Sequence, residues 1–338
     1  MKFLIVRLSS LGDIIHTLPI VYMLRKHYPE AQIDWLVGKK GFELLDLIDE
    51  LDNVYLPAYE NILFLQKQKY DYVIDVQGLF KSAFLSKVVF AKNTIGFKNT
   101  REFADIFYDK KIDVGGLFVT KRHIVDLNLE LISSLINKQN TKVKFLIPKV
   151  DKPVNAFLSE VLSAKKSIVT FPATTWESKM WPVDYWYELI RNLSNEAQVY
   201  LCASSSDLIY IKPLIEKLSL NNVKYINLVG KTLIKDLVYL IQNSSLVIGM
   251  DSAGLHLASA IRNDFGFPEV IGIYGPTSPF RSGPYGLVNN CFYLSELDCI
   301  ACRKKKCPLG HHDCMRKIAP EDICRTIDIM LKANVLNS

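Results

Sequence analysis

The sequence predicts an α/β protein with two parallel-sheet domains, and three features support this. Short apolar runs rich in β-branched residues alternate with amphipathic helical stretches along nearly the whole chain, a pattern typical of parallel α/β architecture. The length of 338 residues exceeds what one hydrophobic core usually supports. The alternation relaxes at "FLIPKVDKPVNAF", which holds two prolines and several charges. We therefore expect a linker there, between domains 1–150 and 151–338.

In the first half, the strand candidates are short apolar runs separated by helical patterns such as "IIHTLPIVYMLRKHY" and "GLFKSAFLSKVVF". Helical crossovers between successive strands predict parallel pairing. The expected strands are Phe3–Leu8, Gln32–Val37, Asn53–Leu56, Tyr72–Val76 and Thr94–Phe97.

The second half repeats this arrangement, with each apolar run followed by a helix-like segment. Its expected strands are "KSIVTF", "AQVYLCA", "KYINLVG", "SLVIGM" and "EVIGIYG". The simplest interpretation is two Rossmann-like domains with parallel sheets facing a central cleft, in which ligand binds.

Composition excludes several classes of protein. The formal charge is +6, and no Lys/Arg block is long enough for a nucleic-acid arm. The mild excess suits an anionic substrate or membrane surface. Arg7 interrupts the N-terminal apolar run, and no window approaches a membrane span. We therefore expect a cytoplasmic protein, whose seven cysteines are thiols or metal ligands rather than disulfides.

The stretch "RLSSLGDIIHTLP" places Asp13 where a buried strand gives way to a helix. An aspartate at a helix start caps free backbone N–H groups. A carboxylate at the carboxyl end of a parallel strand can instead be a catalytic base, because open α/β sheets bind ligands there. Position alone leaves both roles open.

The stretch "VIGMDSAGLHLASA" predicts an anion site in the second half. A turn of small residues that opens a helix exposes backbone N–H groups and the positive end of the helix dipole, which suits phosphate. Capping and a core histidine are the alternative. The candidate residues are Asp251, Ser252, Ala253, Gly254 and His256.

Two further loops follow expected strands of the same domain. "TFPATTWESKMWP" offers the phosphate partners Thr174, Thr175 and Lys179, and "IYGPTSPF" is a Gly-Pro-Thr turn. Hydroxyls and lysines are also common in solvated loops, but three such loops at one sheet edge favour a diphosphate ligand. Asp207 follows a fourth strand and either binds ribose or caps a helix. No G-x-G-x-x-G or P-loop is present, which disfavours dehydrogenases and P-loop NTPases.

A cysteine-rich segment, "LDCIACRKKKCPLGHHDCMRK", lies near the C-terminus. Its first pair has the spacing of a structural zinc site, while the later spacings are not standard. Histidines 311 and 312 could substitute as ligands, and buried free thiols are the alternative. The tentative ligands of a structural zinc ion are Cys299, Cys302, Cys307 and Cys314.

In combination and order, these motifs resemble glycosyltransferase family 9, the ADP-heptose:lipopolysaccharide heptosyltransferases. The resemblance also includes "YDYVIDVQGLFKSA" and "IGFKNTREFADIFYDKK". It implies a GT-B fold, with the acceptor on the N-terminal domain and ADP-heptose on the C-terminal one. By position, Asp13 matches the catalytic base, Thr174, Thr175 and Lys179 match diphosphate contacts, and Asp207 matches a ribose-binding acid. The donor motif carries Ala253 where the family has glycine.

The resemblance further implies an inverting transfer of heptose to Kdo-lipid A or core oligosaccharide, without a catalytic metal, at the cytoplasmic face of the inner membrane. Residues 100–102 and 107–108 look most like heptosyltransferase I, and the cysteine-rich tail is more like heptosyltransferase II. A GT-B epimerase, a transferase acting on a protein, and an inert sugar-nucleotide binder stay open. Candidate acceptor contacts, each equally able to be an ordinary surface residue, are Ser10, Lys81, Arg101 and Arg122.

Overall fold

A computed structural model describes residues 1–115, 122–136, 142–161 and 166–335. The chain divides into two compact units, Met1–Pro148 and Lys149–Ser338. Each is built on a six-stranded sheet whose strand pairs are all parallel. The predicted α/β class with two parallel sheets is confirmed.

The N-terminal sheet has the order β3-β2-β1-β4-β5-β6. Its strands are β1 (Lys2–Val6), β2 (Gln32–Leu36), β3 (Asn53–Tyr55), β4 (Tyr72–Asp75), β5 (Asn93–Phe97) and β6 (Lys110–Ile112). The α-helices are α1 (Leu11–Ile15), α2 (Leu18–His27), α3 (Lys39–Leu45), α4 (Tyr59–Gln66), α5 (Phe80–Val88) and α6 (Ile124–Leu131), and a 3-10 helix covers Arg101–Phe107.

The C-terminal sheet has the order β12-β11-β10-β7-β8-β9. Its strands are β7 (Ser167–Phe171), β8 (Gln198–Leu201), β9 (Ile226–Asn227), β10 (Leu246–Met250), β11 (Glu269–Ile273) and β12 (Cys291–Phe292). The α-helices are α7 (Ala156–Val161), α8 (Val183–Leu193), α9 (Leu208–Leu220), α10 (Ile234–Gln242), α11 (Ala253–Phe265), α12 (Pro279–Ser282), α13 (Asp313–Arg316) and α14 (Pro320–Val335). Short 3-10 helices cover Glu177–Lys179, Ser205–Asp207 and Val288–Asn290.

The central strands are buried on both faces, which explains their continuous apolar sequences. Residues Phe3 to Val6 of β1 and Leu246 to Met250 of β10 are buried. All ten predicted strands form, and the structure adds the short edge strands β6 and β12. Among the described residues, none of the helices combines the length and the hydropathy that a membrane span requires.

Candidate functional site

Each sheet has one topological switch point. There the chain stops adding strands on one side of the first strand and begins to add them on its other side. The switch point lies between β1 and β4 in the N-terminal sheet and between β7 and β10 in the C-terminal sheet. Loops leave such a point in opposite directions and open a crevice at the carboxyl ends of the strands, where α/β proteins bind ligands. Ligand-binding and catalytic groups are therefore expected in the loops that follow these four strands.

Asp13 lies beside the N-terminal switch point, as the third residue of α1. Its Oδ2 atom accepts the Ser10 backbone N–H at 3.0 Å and the Ser10 hydroxyl at 2.8 Å, and pairs with Arg7 Nη2 at 2.8 Å. Its Oδ1 atom makes no hydrogen bond to any residue that the structure describes. The side chain is 40% exposed. One oxygen therefore caps the helix, while the other is open to a ligand.

The charge state of Asp13 follows from the same contacts. Desolvation acts to raise the pKa of the carboxyl group, but the Arg7 cation and the Ser10 hydrogen bonds outweigh it and hold the pKa below its ordinary value. Arg7 is itself fixed, because Nη1 donates to the Val76 carbonyl after β4 at 2.9 Å. Sequence reasoning missed Arg7. Its signal was a single arginine directly after a buried strand.

Asp251 lies beside the C-terminal switch point, and its contacts join three loops. Oδ2 accepts Lys179 Nζ at 2.6 Å and the Thr277 hydroxyl at 2.7 Å, while Oδ1 lies 3.1 Å from His256 Nε2. The Thr174 hydroxyl donates to the Asp251 backbone carbonyl at 3.2 Å. The structure thus brings these candidate residues together, and it adds Thr277 from the Gly-Pro-Thr turn.

Burial makes this cluster electrostatically different from an exposed ion pair. The Asp251 side chain is 8% exposed and that of Lys179 is 14% exposed. Desolvation acts to raise the pKa of Asp251, but hydrogen bonding to His256 and the Lys179 charge hold the pKa far below its ordinary value. The Lys179 ammonium also lies 4.5 Å from the centre of the Trp176 ring. Asp251 is therefore a fixed anion that orients a cation.

The turn before α11 has the predicted form, with Ser252 in extended conformation at the N-cap. The Ser252 hydroxyl oxygen is buried and has no hydrogen-bond partner among the described residues. Gly254 has a packing reason that the sequence did not reveal, since a Cβ there would lie 2.4 Å from the Phe171 ring. The hydrogen in place of its side chain faces β7, so its small size serves helix–strand packing.

Thr175 and Asp207 make no hydrogen bond to Asp251 in the described part of the chain. Thr175 is exposed, directly after the buried Thr174. Asp207 Oδ2 accepts the Ser204 N–H at 3.3 Å and the Ser204 hydroxyl at 2.6 Å, which is a capping arrangement. Its other oxygen makes no hydrogen bond within the described part of the chain. Asp207 therefore resembles Asp13, because in each carboxylate one oxygen is hydrogen-bonded and the other is not.

The candidate acceptor contacts are spread over the N-terminal unit. Ser10 bonds directly to Asp13, as described above. Lys81, in α5, and Arg101, which begins the 3-10 helix, are exposed on neighbouring elements, because the Phe80 N–H donates to Glu102 Oε2 at 3.1 Å. Arg122 is exposed and paired with Glu130.

The cysteine-rich segment forms part of the C-terminal unit. Cys299, Cys302, Cys307 and Cys314 all line one cavity of about 20 Å³, and burial with the neighbouring thiols raises the pKa of Cys314 to about 11. All seven cysteines are free thiols. Among the described residues, no group of three or more His, Cys, Asp or Glu side chains is placed so that it could hold a metal ion. The zinc site stays a prediction.

Comparison with known proteins gives a family match over most of the chain. The model of glycosyltransferase family 9 (heptosyltransferase) matches residues 63–312. The lipopolysaccharide heptosyltransferase 1 of Campylobacter coli is 28% identical, with 97% of this chain and 98% of that protein covered. The lipooligosaccharide heptosyltransferase 2 of Campylobacter jejuni is 26% identical, with 98% and 99% covered.

Solved structures show the same fold. The E. coli heptosyltransferase WaaC with ADP has a TM-score of 0.73 at 23% identity, with 98% of this chain and 100% of that chain covered. The E. coli ADP-heptose lipopolysaccharide heptosyltransferase II has a TM-score of 0.79 at 20% identity, with 99% of both chains covered. The predicted GT-B fold is confirmed, and similarity extends to both heptosyltransferase types.

Proposed function

The chain belongs to glycosyltransferase family 9, the heptosyltransferases, and from that premise we propose that it transfers heptose from ADP-heptose to the Kdo region of the lipopolysaccharide inner core. The transfer inverts the anomeric carbon. In this proposal the N-terminal unit holds the acceptor and the C-terminal unit holds the donor. The chemistry of both sites supports this division, because one presents an open carboxylate oxygen and the other a buried cation beside a helix N-terminus.

The state of Asp13 carries the proposal. Its Oδ2 is held by Arg7 and Ser10, while Oδ1 is open. Oδ1 accepts the proton of the acceptor hydroxyl as that oxygen bonds to the anomeric carbon and the bond to ADP breaks. A lowered pKa keeps the carboxylate ionised at neutral pH, and the hydroxyl proton becomes acidic as the new bond forms. Arg7 is a positioning residue that fixes the carboxylate.

The donor side stabilises negative charge on the departing ADP. Lys179 supplies a cation, and Thr174 and Thr175 supply hydroxyls. The N-terminus of α11 supplies backbone N–H groups and a favourable dipole, with Ser252, Ala253 and Gly254 in its opening turn. Asp251 holds Lys179 and Thr174 in place before the reaction, and in this mechanism no metal ion is needed to neutralise the diphosphate. Asp207 accepts from the ribose hydroxyls through its free oxygen.

The sequence motif suggests that Asp251 and His256 contact the donor directly, but we propose a different role for this pair. A carboxylate in direct contact with diphosphate would be repelled, and both Asp251 oxygens already have partners. Asp251 acts instead as a positioning residue that sets Lys179, Thr277 and His256 around the donor. Asp251 therefore affects donor binding only indirectly, through the positions of Lys179, Thr277 and His256.

The test is incubation with ADP-heptose and either Kdo-lipid A or its once-heptosylated form, followed by mass spectrometry. We expect a gain of one heptose on Kdo-lipid A, because residues 100–102 and 107–108 resemble heptosyltransferase I. Gain only on the heptosylated acceptor would assign the second heptose instead. ADP-heptose binding without gain on either lipid, in an assay that a known heptosyltransferase completes, would refute the proposed transfer.

We further propose that the enzyme works on the cytoplasmic face of the inner membrane through an aromatic patch on the N-terminal unit. The patch consists of Phe80, Phe84, Phe103, Ile106 and Phe107. Phe80 lies 5.4 Å and Phe84 6.2 Å from the Phe107 ring, between ring centres. The other four residues are about half exposed or more. Lys81 and Arg101 flank them, which favours a bilayer with anionic lipids.

Vesicle flotation tests the patch. Binding should be stronger to vesicles with anionic phospholipid than to neutral vesicles, and F84S/F103S should reduce it several-fold. L220S is the matched control, because Leu220 is 82% exposed at the end of α9 in the other unit. Equal losses in both variants, or no binding to anionic vesicles, would refute this surface.

A further inference from the structure

Gln77 joins the two loops that follow the strands at the switch point of the N-terminal sheet. It is the second residue after β4, and its Oε1 atom accepts the backbone N–H of Leu8 at 2.7 Å. Leu8 is itself the second residue after β1. Gln77 is half-buried. Its side chain therefore lies at the crevice in which a parallel sheet places its ligands, at the carboxyl ends of β1 and β4.

The orientation of the Gln77 amide follows from this contact. The Leu8 N–H group is a donor, so it bonds to the carbonyl oxygen of the amide, and the amide nitrogen faces away from it. Leu8 is held in turn, because its carbonyl oxygen accepts the Gly38 N–H at 3.0 Å. The backbone N–H of Gln77 donates to Oδ1 of the buried Asp75 at 2.8 Å. Both ends of the Gln77 side chain are therefore fixed.

The amide nitrogen of Gln77 has no hydrogen-bond partner in the described part of the chain, which leaves two N–H donors for a ligand. Neighbouring donors at this sheet edge are engaged with the protein itself. Arg7 bonds through Nη1 to the Val76 carbonyl and through Nη2 to the Asp13 carboxylate. The Ser10 hydroxyl also donates to Asp13. Gln77 therefore supplies donors near the base without losing a contact of its own.

Arg7 also fixes Gln77 relative to the base. The Val76 carbonyl that Arg7 holds belongs to the residue directly before Gln77, and the same guanidinium holds Asp13. A ligand bonded to the Gln77 amide is thereby kept at a constant distance from Asp13. Because the amide is uncharged, it binds a ligand oxygen without lowering the pKa of Asp13 further, as a second cation would. Asp13 therefore keeps its strength as a base.

We propose that Gln77 is an acceptor-binding residue, whose amide NH₂ group donates to an oxygen of the acceptor sugar next to the hydroxyl that Asp13 deprotonates. This inference rests on the proposed function, since it takes the crevice at Asp13 as the acceptor site. Hydroxyl and carboxylate oxygens of a sugar both accept such a bond. The bond orients the sugar so that its reacting hydroxyl faces Oδ1 of Asp13.

Gln77→Glu separates the two ends of the amide. Glutamate has the same length and keeps an oxygen for the Leu8 N–H, but it has no N–H donor. The KM for the lipid acceptor that the wild type heptosylates should rise by about 3- to 30-fold, with Tm and ADP affinity close to wild type. Gln242→Glu is the matched control and should leave this KM unchanged. Gln242 ends α10 in the other unit, and its Oε1 likewise accepts a backbone N–H, that of Val150 at 3.0 Å.

A second variant controls for the added charge. The new carboxylate would raise the pKa of Asp13, so KM is measured at about pH 8, where Asp13 stays ionised. Gln77→Met has neither the charge nor the N–H donor, and it should raise the acceptor KM to a similar extent. Its Tm should be lower, because the Leu8 N–H loses its acceptor.

The outcomes distinguish acceptor binding from a purely structural role. A wild-type acceptor KM in Gln77→Glu would overturn the inference, since Gln77 would then only join the two loops. A lower kcat with unchanged KM would overturn it as well, and so would a raised KM in Gln77→Glu alone, which would reflect charge repulsion. Wild-type protein that heptosylates no lipid acceptor would contradict the proposed function, and the inference with it.

Discussion

Asp13 and Asp251 occupy equivalent places in the two halves of the molecule and differ in what they can do. Each follows a central strand at the switch point of its sheet, and each has a pKa lowered by a neighbouring cation. Asp13 is 40% exposed and uses one oxygen, whereas Asp251 is 8% exposed and uses both. The unpaired oxygen of Asp13 can accept a proton from a ligand. Both oxygens of Asp251 already have partners, so this carboxylate serves to position its neighbours.

Position at the switch point of a sheet thus marks a site, while the number of carboxylate oxygens already engaged in contacts determines the role of each aspartate. Asp251 directly follows an apolar run, Asp13 lies seven residues after the end of one, and both are compatible with capping. Their contacts come from residues distant in the chain, such as Lys179 and Thr277 for Asp251, so the difference becomes visible only in three dimensions.

The largest effect is expected for Asp13→Asn. Asparagine keeps the capping acceptor but is a very poor base, so kcat should fall by about 10²- to 10⁴-fold. Tm and ADP-heptose affinity should stay close to wild type. Steady-state kinetics and calorimetry provide the measurement, with Asp184→Asn as the control, since Asp184 is also a first-turn acid in an ion pair, in its case with Lys217. Full turnover combined with lost stability would mean that Asp13 only caps.

Asp251→Asn should act mainly on stability. It removes the anion of a buried pair and leaves Lys179 without its counter-charge, which costs about 3–5 kcal/mol. Urea denaturation measures the loss. Asp113→Asn removes half of an exposed pair with Lys98 and should cost less than about 1 kcal/mol. Similar small losses in both variants would mean that burial does not distinguish Asp251.

Lys179→Ala should weaken donor binding and, because it leaves the buried Asp251 carboxylate without its cation, should also lower stability. A charged hydrogen bond to diphosphate contributes about 1.5–3 kcal/mol, so ADP-heptose affinity should fall by roughly 10- to 150-fold, with slower transfer. Calorimetry with ADP gives the affinity. Lys217→Ala is the control, because it removes the lysine of an ion pair between α9 and Asp184 of α8. Unchanged affinity and turnover would exclude Lys179 from the donor site.

The smallest expected effect concerns pH. Both aspartates have pKa values below the ordinary 3.8, so each contributes stability above about pH 4 and loses it as pH falls through the folded-state pKa. Removing such a group flattens the acid side of the stability profile. Urea midpoints between about pH 6 and pH 2.5 should show more flattening for Asp251→Asn than for Asp13→Asn. The opposite order would contradict the comparison.

Much of the fold was predictable, because buried parallel strands have continuous apolar sequences. The strands that were missed, Lys110–Ile112 and Cys291–Phe292, are short edge strands, one of them with two lysines. They are defined by pairing with β5 and β11 rather than by burial of their own side chains. Local pattern therefore carries no signal for them.

The candidate site was predictable as a set of loops rather than as a set of contacts. Strand ends with Asp, Thr and Lys identified the loops around Asp251. The sequence did not indicate that Arg7 fixes Asp13, nor that Gly254 packs against Phe171. Both depend on groups from separate elements, and their geometry appears only once the sheets are assembled.

The contacts of Ser178 set the order in which the two sites are completed during synthesis. Asp13 finds its partners, Arg7 and Ser10, within the first 13 residues, and Arg7 is anchored by Val76. The loop before Lys179 waits for residues 304–312, which are translated more than 120 residues later. At about 5–20 residues per second, the N-terminal site is complete many seconds before the donor loops. A chain that stalls before its cysteine-rich segment therefore carries a finished base and an unsupported donor pocket.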